Sequence, residues 1–406
     1  MIISVASGKG GTGKTTIAVS LALSLDDVQL LDCDVEEPNA HIFLKPVIRN
    51  SIKASIPVPV VDKTKCDLCG KCADVCMYNA IAVMPKSRTN AGRVLVFPQL
   101  CHGCGACTMF CPQQAIREVE RPIGEIQTGK KSGVVFAHGR LDVGEAMSPP
   151  LIRQVKRLSD ISTTVIIDAP PGTSCPVIAA VKDSDFCLLV TEPTPFGMND
   201  LILAVEAMRK LKIPVGVIIN RCDMGNDKVE TYCKSQNIPV LMKIPFRKEI
   251  AEAYSNGNPL IEPLPQYKEQ FKEVFNKIET LAGKDEKKMK AKKAVEYFRG
   301  LNGKMRLNCA QSVAAAFMDD GFTSNSDIEG FWDCGFGEAP DGYCGSIYAA
   351  LSLLRRTGND GRLKELTEEF IAYTGSLKCK EIRTFRRVSC RQTVAKAVEL
   401  LERLNS

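Results

Sequence analysis

No apolar run in this 406-residue sequence approaches the ~18 residues that a membrane-spanning helix requires. The opening Met1-Ile2-Ile3-Ser4-Val5 carries neither a basic leader nor an apolar signal region, so a cytoplasmic chain without a membrane span is expected. Nothing resembling a dedicated nucleic-acid arm is present either. The formal charge of +6 is spread over 44.4 kDa, and nucleic acid is not an expected partner. What the chain does have is cysteine, 18 in all. In a reducing compartment, cysteines clustered at short spacing are metal ligands rather than disulfides. The scattered Cys187, Cys222 and Cys233 read as small buried hydrophobes.

Short β-rich apolar runs at residues 2–6, 28–31, 164–168, 186–191, 214–220 and 239–244 alternate with helical patterns such as 201–211. That rhythm implies an α/β domain with a doubly wound parallel sheet. It breaks off between about residues 58 and 120, where cysteine, proline and glycine replace the alternation, and resumes at 133–136. The chain is therefore expected to divide into a first α/β part (1–57), an insert (58–120), a second α/β part (121–283), a lysine-rich linker (284–293) and a mainly α C-terminal domain (294–406). Helices are expected at 294–317, 344–355, 363–373 and 388–404.

Gly8-Lys9-Gly10-Gly11-Thr12-Gly13-Lys14-Thr15-Thr16 satisfies G-x-x-x-x-G-K-[ST], follows a strand and opens a helical pattern, which is the context a P-loop needs. Its glycines let backbone N–H groups turn toward phosphate, Lys14 neutralises phosphate charge and the Thr15 hydroxyl suits Mg²⁺. The second lysine, Lys9, makes the loop the deviant Walker A form and resembles the MinD, Mrp and nitrogenase iron-protein superfamily. That resemblance covers about residues 1–280. It implies an ATP-hydrolysing homodimer in which Lys9 reaches the nucleotide of the other subunit. Asp32-Cys33-Asp34 looks like switch I, with Asp34 orienting the attacking water, and Asp168-Ala169-Pro170-Pro171-Gly172-Thr173 looks like switch II, with Asp168 near Mg²⁺. By the same match, Asn220 and Asp223 stand where the base is read.

Cys66, Cys69, Cys72 and Cys76 repeat 35 residues later as Cys101, Cys104, Cys107 and Cys111, each run spaced C-x2-C-x2-C-x3-C, and the repeat also aligns Ala80-Ile81 with Ala115-Ile116. The spacing wraps three thiolates around one cubane while the fourth ligates the other, as in bacterial two-cluster ferredoxins. The expected sets are Cys66, Cys69, Cys72 and Cys111 for one [4Fe-4S] cluster, and Cys76, Cys101, Cys104 and Cys107 for the second. Met77 departs from the pattern, since proline is usual there and does follow the second run as Pro112.

Asn308-Cys309-Ala310-Gln311-Ser312, Tyr343-Cys344-Gly345-Ser346, Cys379 and Cys390 resemble a family of redox proteins defined by the pattern C, GCAxxG, C, C. A further Fe–S cluster, a redox disulfide and buried reduced thiols stay open for them. Cys175, seven residues after Asp168, has no second cysteine between residues 112 and 174 to complete a bridging site. The expected function is nucleotide turnover coupled to electron transfer, with an electron donor or acceptor protein as partner. The alternative is a carrier that passes metal clusters to client proteins, although the C-P-x-C motif of such carriers is absent.

Overall fold

The computed structural model describes residues 1–87, 91–160, 163–282, 286–301, 303–358, 360–385 and 388–405. Two compact units emerge: one of residues 2–159 and 165–277, the other of Met1, 160–164 and 278–406.

In the first unit eleven strands form: β1 Ile2–Ala6, β2 Val28–Asp32, β3 Val47–Val61, β4 Ile81–Met84, β5 Arg93–Val96, β6 Ile116–Lys131, β7 Val134–Leu141, β8 Thr164–Asp168, β9 Phe186–Thr191, β10 Val215–Asn220 and β11 Val240–Ile244. Nine of them make one sheet in the order β11-β10-β9-β1-β8-β2-β7-β6-β3, and β4 pairs with β5. The central strands are buried on both faces, which is why they read as continuous apolar runs. The sheet departs from the all-parallel expectation at one edge, where β7, β6 and β3 run antiparallel. The cause is local. Ser132 and Gly133 both adopt positive φ between β6 and β7, a two-residue hairpin turn that leaves the strands no other direction.

The strands β3 and β6 pair from Val47↔Lys130 to Val61↔Ile116, so they run unbroken through the expected boundaries at 57/58 and 120/121. Their outer ends carry the cysteine segment. Cys101 and Ala80 pack into the same hydrophobic core as Ile56, Val58 and the sheet residues Leu31 and Ile167.

The second unit is helical: Glu286–Arg299, Cys309–Ala315, Asn325–Gly330, Gly345–Arg356, Leu363–Thr374, Cys379–Phe385 and Cys390–Asn405. Residues 286–293, expected as linker, are helical here, with Ala291, Ala294 and Val295 buried in the helical core; residues 283–285 lie outside the described residues. The helix expected over 294–317 is two. Gly300 leaves the first at φ +66, and Asn308 opens the second with a capping box, its side chain accepting from Ala310 N and Gln311 N while Gln311 returns a bond from the Asn308 N–H. The helix at Cys379–Phe385 was not anticipated. Among the described residues no helix is long and apolar enough to cross a membrane.

Candidate nucleotide site and cysteine cavities

The P-loop joins β1 to the helix Lys14–Ser24, and Gly11 and Gly13 bend it at φ +79 and +93. A side chain is excluded at Gly13 for a second reason, because a Cβ there would lie 2.6 Å from Asn220 Nδ2. Asn220 in turn donates to the Thr12 carbonyl at 2.9 Å, so the end of β10 is tied to the loop. Asp223 is turned to another task, accepting from the Phe246 N–H at 2.7 Å.

Lys14 reaches away from the loop to donate to Asp168 Oδ1 at 2.7 Å, with Asp34 Oδ2 at 3.9 Å. Burial opposes its charge, but Asp168, Asp34 and Asp32 outweigh that and hold its pKa above the ordinary lysine value. The carboxylates respond to the same crowding. Burial, with the Asp168 charge adding to it, pushes Asp32 up to about 8, against the hydrogen bonds it accepts from the N–H groups of Asp34, Asn39 and Ala40. Burial raises Asp34 to about 6, with Lys14 pulling the other way. Asp168 Oδ2 and Thr12 Oγ1 are buried without a protein partner. Two orphaned oxygens beside a buried ammonium fit a site built for phosphate and a divalent cation, with Thr15 as the neighbouring hydroxyl.

Lys9 is on the rim, ion-paired to Glu192 at 3.4 Å, and Arg221 approaches the other Glu192 oxygen at 2.8 Å. Glu192 and Arg221 were missed from sequence, though each directly follows a central strand, at the carboxyl edge where open α/β sheets bind ligands. His138 was also missed. Beside Asp32 in the β2–β7 pairing, it bonds Gln127 at 3.0 Å and packs on His41, and burial holds it down at about 4. Cys175 is exposed on the loop side of β8; Cys187 and Cys233 are buried and Cys222 half-buried.

The eight cysteines of the repeat divide between two cavities. One is lined by Cys66, Cys69, Cys72 and Cys111; the other by Cys76, Cys101, Cys104 and Cys107. The repeat holds atom by atom: Gly70 and Gly105 open matching four-residue helices at φ +82 and +75, and the N–H groups of Ala80 and Ala115 point at the sulfurs of Cys76 and Cys111 at 3.2 and 3.3 Å. Met77, 86% exposed, leaves this geometry intact because its side chain points to solvent. Among the described residues no three His, Cys, Asp or Glu side chains are placed to hold a single metal ion.

A P-loop at the carboxyl edge of a parallel sheet, flanked by two aspartates, defines a nucleotide-binding α/β protein. The family described as CobQ/CobB/MinD/ParA nucleotide binding domain matches residues 3–260, and the chain belongs to that family. An uncharacterized protein of Methanocaldococcus jannaschii is 31% identical over 285 residues, 68% of this chain and 96% of the relative. A protein of Rickettsia typhi named iron-sulfur cluster carrier protein is 28% identical over 282 residues, 66% of this chain and 69% of its own length. Among solved structures, the septum site-determining protein MinD of Pyrococcus horikoshii with Mg-ADP aligns over 70% of this chain and 97% of its own, at 21% identity and a TM-score of 0.43.

Proposed function

We propose that the chain is an ATPase in which nucleotide state governs electron transfer through two [4Fe-4S] clusters in the insert. The observation that carries this reading is the division of eight cysteines into two four-cysteine cavities on a hairpin continuous with the nucleotide-binding sheet. Cys66, Cys69, Cys72 and Cys111 would hold one cluster, and Cys76, Cys101, Cys104 and Cys107 the other. When bound, each cluster supplies one-electron redox chemistry. With ATP bound, Lys14 would neutralise phosphate charge in place of its Asp168 contact, Asp168 and Thr15 would hold Mg²⁺, and Asp34 would orient the attacking water. Lys9, already at the rim, leaves Glu192 for the nucleotide of a second copy.

The carrier reading is favoured by the printed names of relatives such as the Rickettsia typhi protein. Against it stands the absence of the C-P-x-C motif that such carriers use to hold a transferable cluster.

Anaerobic purification with iron and sulfide quantification, and EPR with and without ATP, tests the proposal. Two clusters per chain that persist when an apo-protein acceptor is added, with a spectrum that responds to nucleotide, are the expected result. Loss of iron to the acceptor on ATP addition would establish the carrier instead.

A further inference from the structure

The four cysteines of the helical unit are distant in sequence, and the fold gathers them. Cys309 opens helix Cys309–Ala315, Cys344 caps helix Gly345–Arg356, Cys379 opens helix Cys379–Phe385 and Cys390 opens helix Cys390–Asn405. Each of the four thiols lies within electrostatic reach of the other three. Cys334, ten residues before Cys344, packs against the same core and brings its backbone carbonyl against Gly345.

The close contacts are specific. A Cβ at Gly345 would lie 2.2 Å from the Cys334 carbonyl oxygen and 2.8 Å from Cys309 Sγ, so glycine lets both the Cys334 backbone and that sulfur approach the turn beside Cys344. Gly337, at φ +100, gives similar room to Cys379, where a Cβ would sit 3.4 Å from the sulfur. The Cys344 N–H donates to the Leu377 carbonyl at 2.7 Å and Tyr343 bridges to Lys378, which brings Cys344 alongside Cys379. The Thr393 hydroxyl donates to the Cys390 carbonyl and lies 3.8 Å from Cys344 Sγ, joining the second segment to the fourth. The fully buried Ser346 hydroxyl is 3.1 Å from Cys344 Sγ, placed to donate to it once it is a thiolate. The site is all-sulfur in its donors, and Cys309, Cys344 and Cys379 are 5–7% exposed while Cys390 opens to solvent.

We infer that Cys309, Cys344, Cys379 and Cys390 are the ligands of a third iron–sulfur cluster, held by the helical unit independently of the insert. A soft, all-thiolate set selects an Fe–S cluster or zinc. Zinc would draw the four thiolates to one point about 2.3 Å from the metal, and metal analysis distinguishes the two. All four thiols are free, with no disulfide joining any two of them. On binding, each cysteine loses its proton to water as its sulfur bonds to iron, and no oxidant is required because the cluster is supplied at its resting oxidation level.

The test uses the full chain, loaded anaerobically with equal ferrous and ferric iron and sulfide. A variant with Cys66, Cys69, Cys101 and Cys104 all changed to Ala empties the insert, and it should retain about one third of the wild-type iron with the visible absorption of a cluster. Adding Cys379→Ser and Cys390→Ser should remove that remainder. Cys334→Ser in the same background should keep it, with unchanged circular dichroism as the folding control. Gly345→Ala, which leaves all four ligands in place, should lower iron occupancy at least twofold. The inference is overturned if the insert-emptied chain binds no iron, if metal analysis finds zinc instead, or if thiol counting on anaerobically prepared protein free of added reductant finds two of the four joined. Failure of the insert to bind iron in the wild type would count against the proposed function alone.

Discussion

Lys14 is 7% exposed and sits 2.7 Å from a carboxylate that is fully buried. Truncating it removes the charge that offsets Asp168 and Asp34. Lys14→Ala is expected to abolish ATP hydrolysis, by about a hundredfold or more, while the iron content stays unchanged because the cysteine cavities share no residue with the P-loop. Breaking a buried pair also costs about 3 kcal/mol of stability at neutral pH. The sign of its pH dependence follows from the raised pKa of Asp34 and Asp32. Groups whose folded pKa lies above the unfolded value contribute stability below the unfolded pKa and lose it as pH rises through the folded one, here about 6 and about 8. The Lys14→Ala penalty should therefore be smaller at pH 5 than at pH 8 in denaturant unfolding. His138 works in the opposite direction. Its folded pKa of about 4 lies below 6.5, so stability present above 6.5 is lost as pH falls through about 4. Replacing His138 with Gln should flatten the unfolding profile across that window, and an unchanged slope would show that His138 takes up its proton without cost.

At the scale of elements, the insert hangs on the hairpin of β3 and β6, and the two cysteine runs cross over between its cavities. Cys76 belongs to the first run but lines the second cavity with Cys104. Single Cys76→Ala and Cys104→Ala variants are thus expected to lose the same cluster and retain about half of the insert's iron, whereas Cys69→Ala loses the other; EPR of the remaining signal distinguishes them. If Cys76→Ala instead behaved like Cys69→Ala, each run would serve its own cluster. Much of this element was legible in sequence, because short cysteine spacing is a local constraint and the repeat fixes local turns. The long strands that carry it were not, since Pro57, Pro59 and Pro122 read as punctuation. Edge pairing tolerates the first two, because β3 pairs on one side only, while Pro122 on β6 falls at the register shift between Ala54 and Ser55, outside the β7 pairing that begins at Gly124. In the helical unit neither Gly300 nor the capping residue Asn308 was read as a break in the helix expected over 294–317, because an apolar pattern alone does not register one.

At the scale of the molecule, Lys9 motivates a nucleotide-dependent homodimer. With Asp34→Ala to block hydrolysis, ATP is expected to double the mass seen by light scattering, and adding Lys9→Ala should return it to a monomer. Glu192 competes for Lys9 in the single chain, so Glu192→Gln should favour the dimer at lower ATP. Coupling to the insert is expected to be reciprocal and typically ~1–3 kcal/mol. For a one-electron couple, about 59 mV accompanies each tenfold change in affinity. Anaerobic redox titrations without nucleotide, with ADP and with a non-hydrolysable ATP analogue should give midpoints separated by tens of millivolts. Coincident midpoints would leave the insert a passive relay.

Motifs whose chemistry depends on residues adjacent in the chain were determined by the sequence itself. The Gly8–Thr16 loop between strand and helix and the two cysteine runs belong here, because backbone geometry over a few residues dictates where their donors point. Other features needed the tertiary structure. Glu192 and Arg221 meet Lys9 only because β9 and β10 end beside β1; Asp223 is drawn off to Phe246; and Cys309, Cys344, Cys379 and Cys390 converge only when four helices pack. Each of these contacts joins residues far apart in the chain, and their distances are set by how strands order and helices pack, which spacing along the chain does not encode.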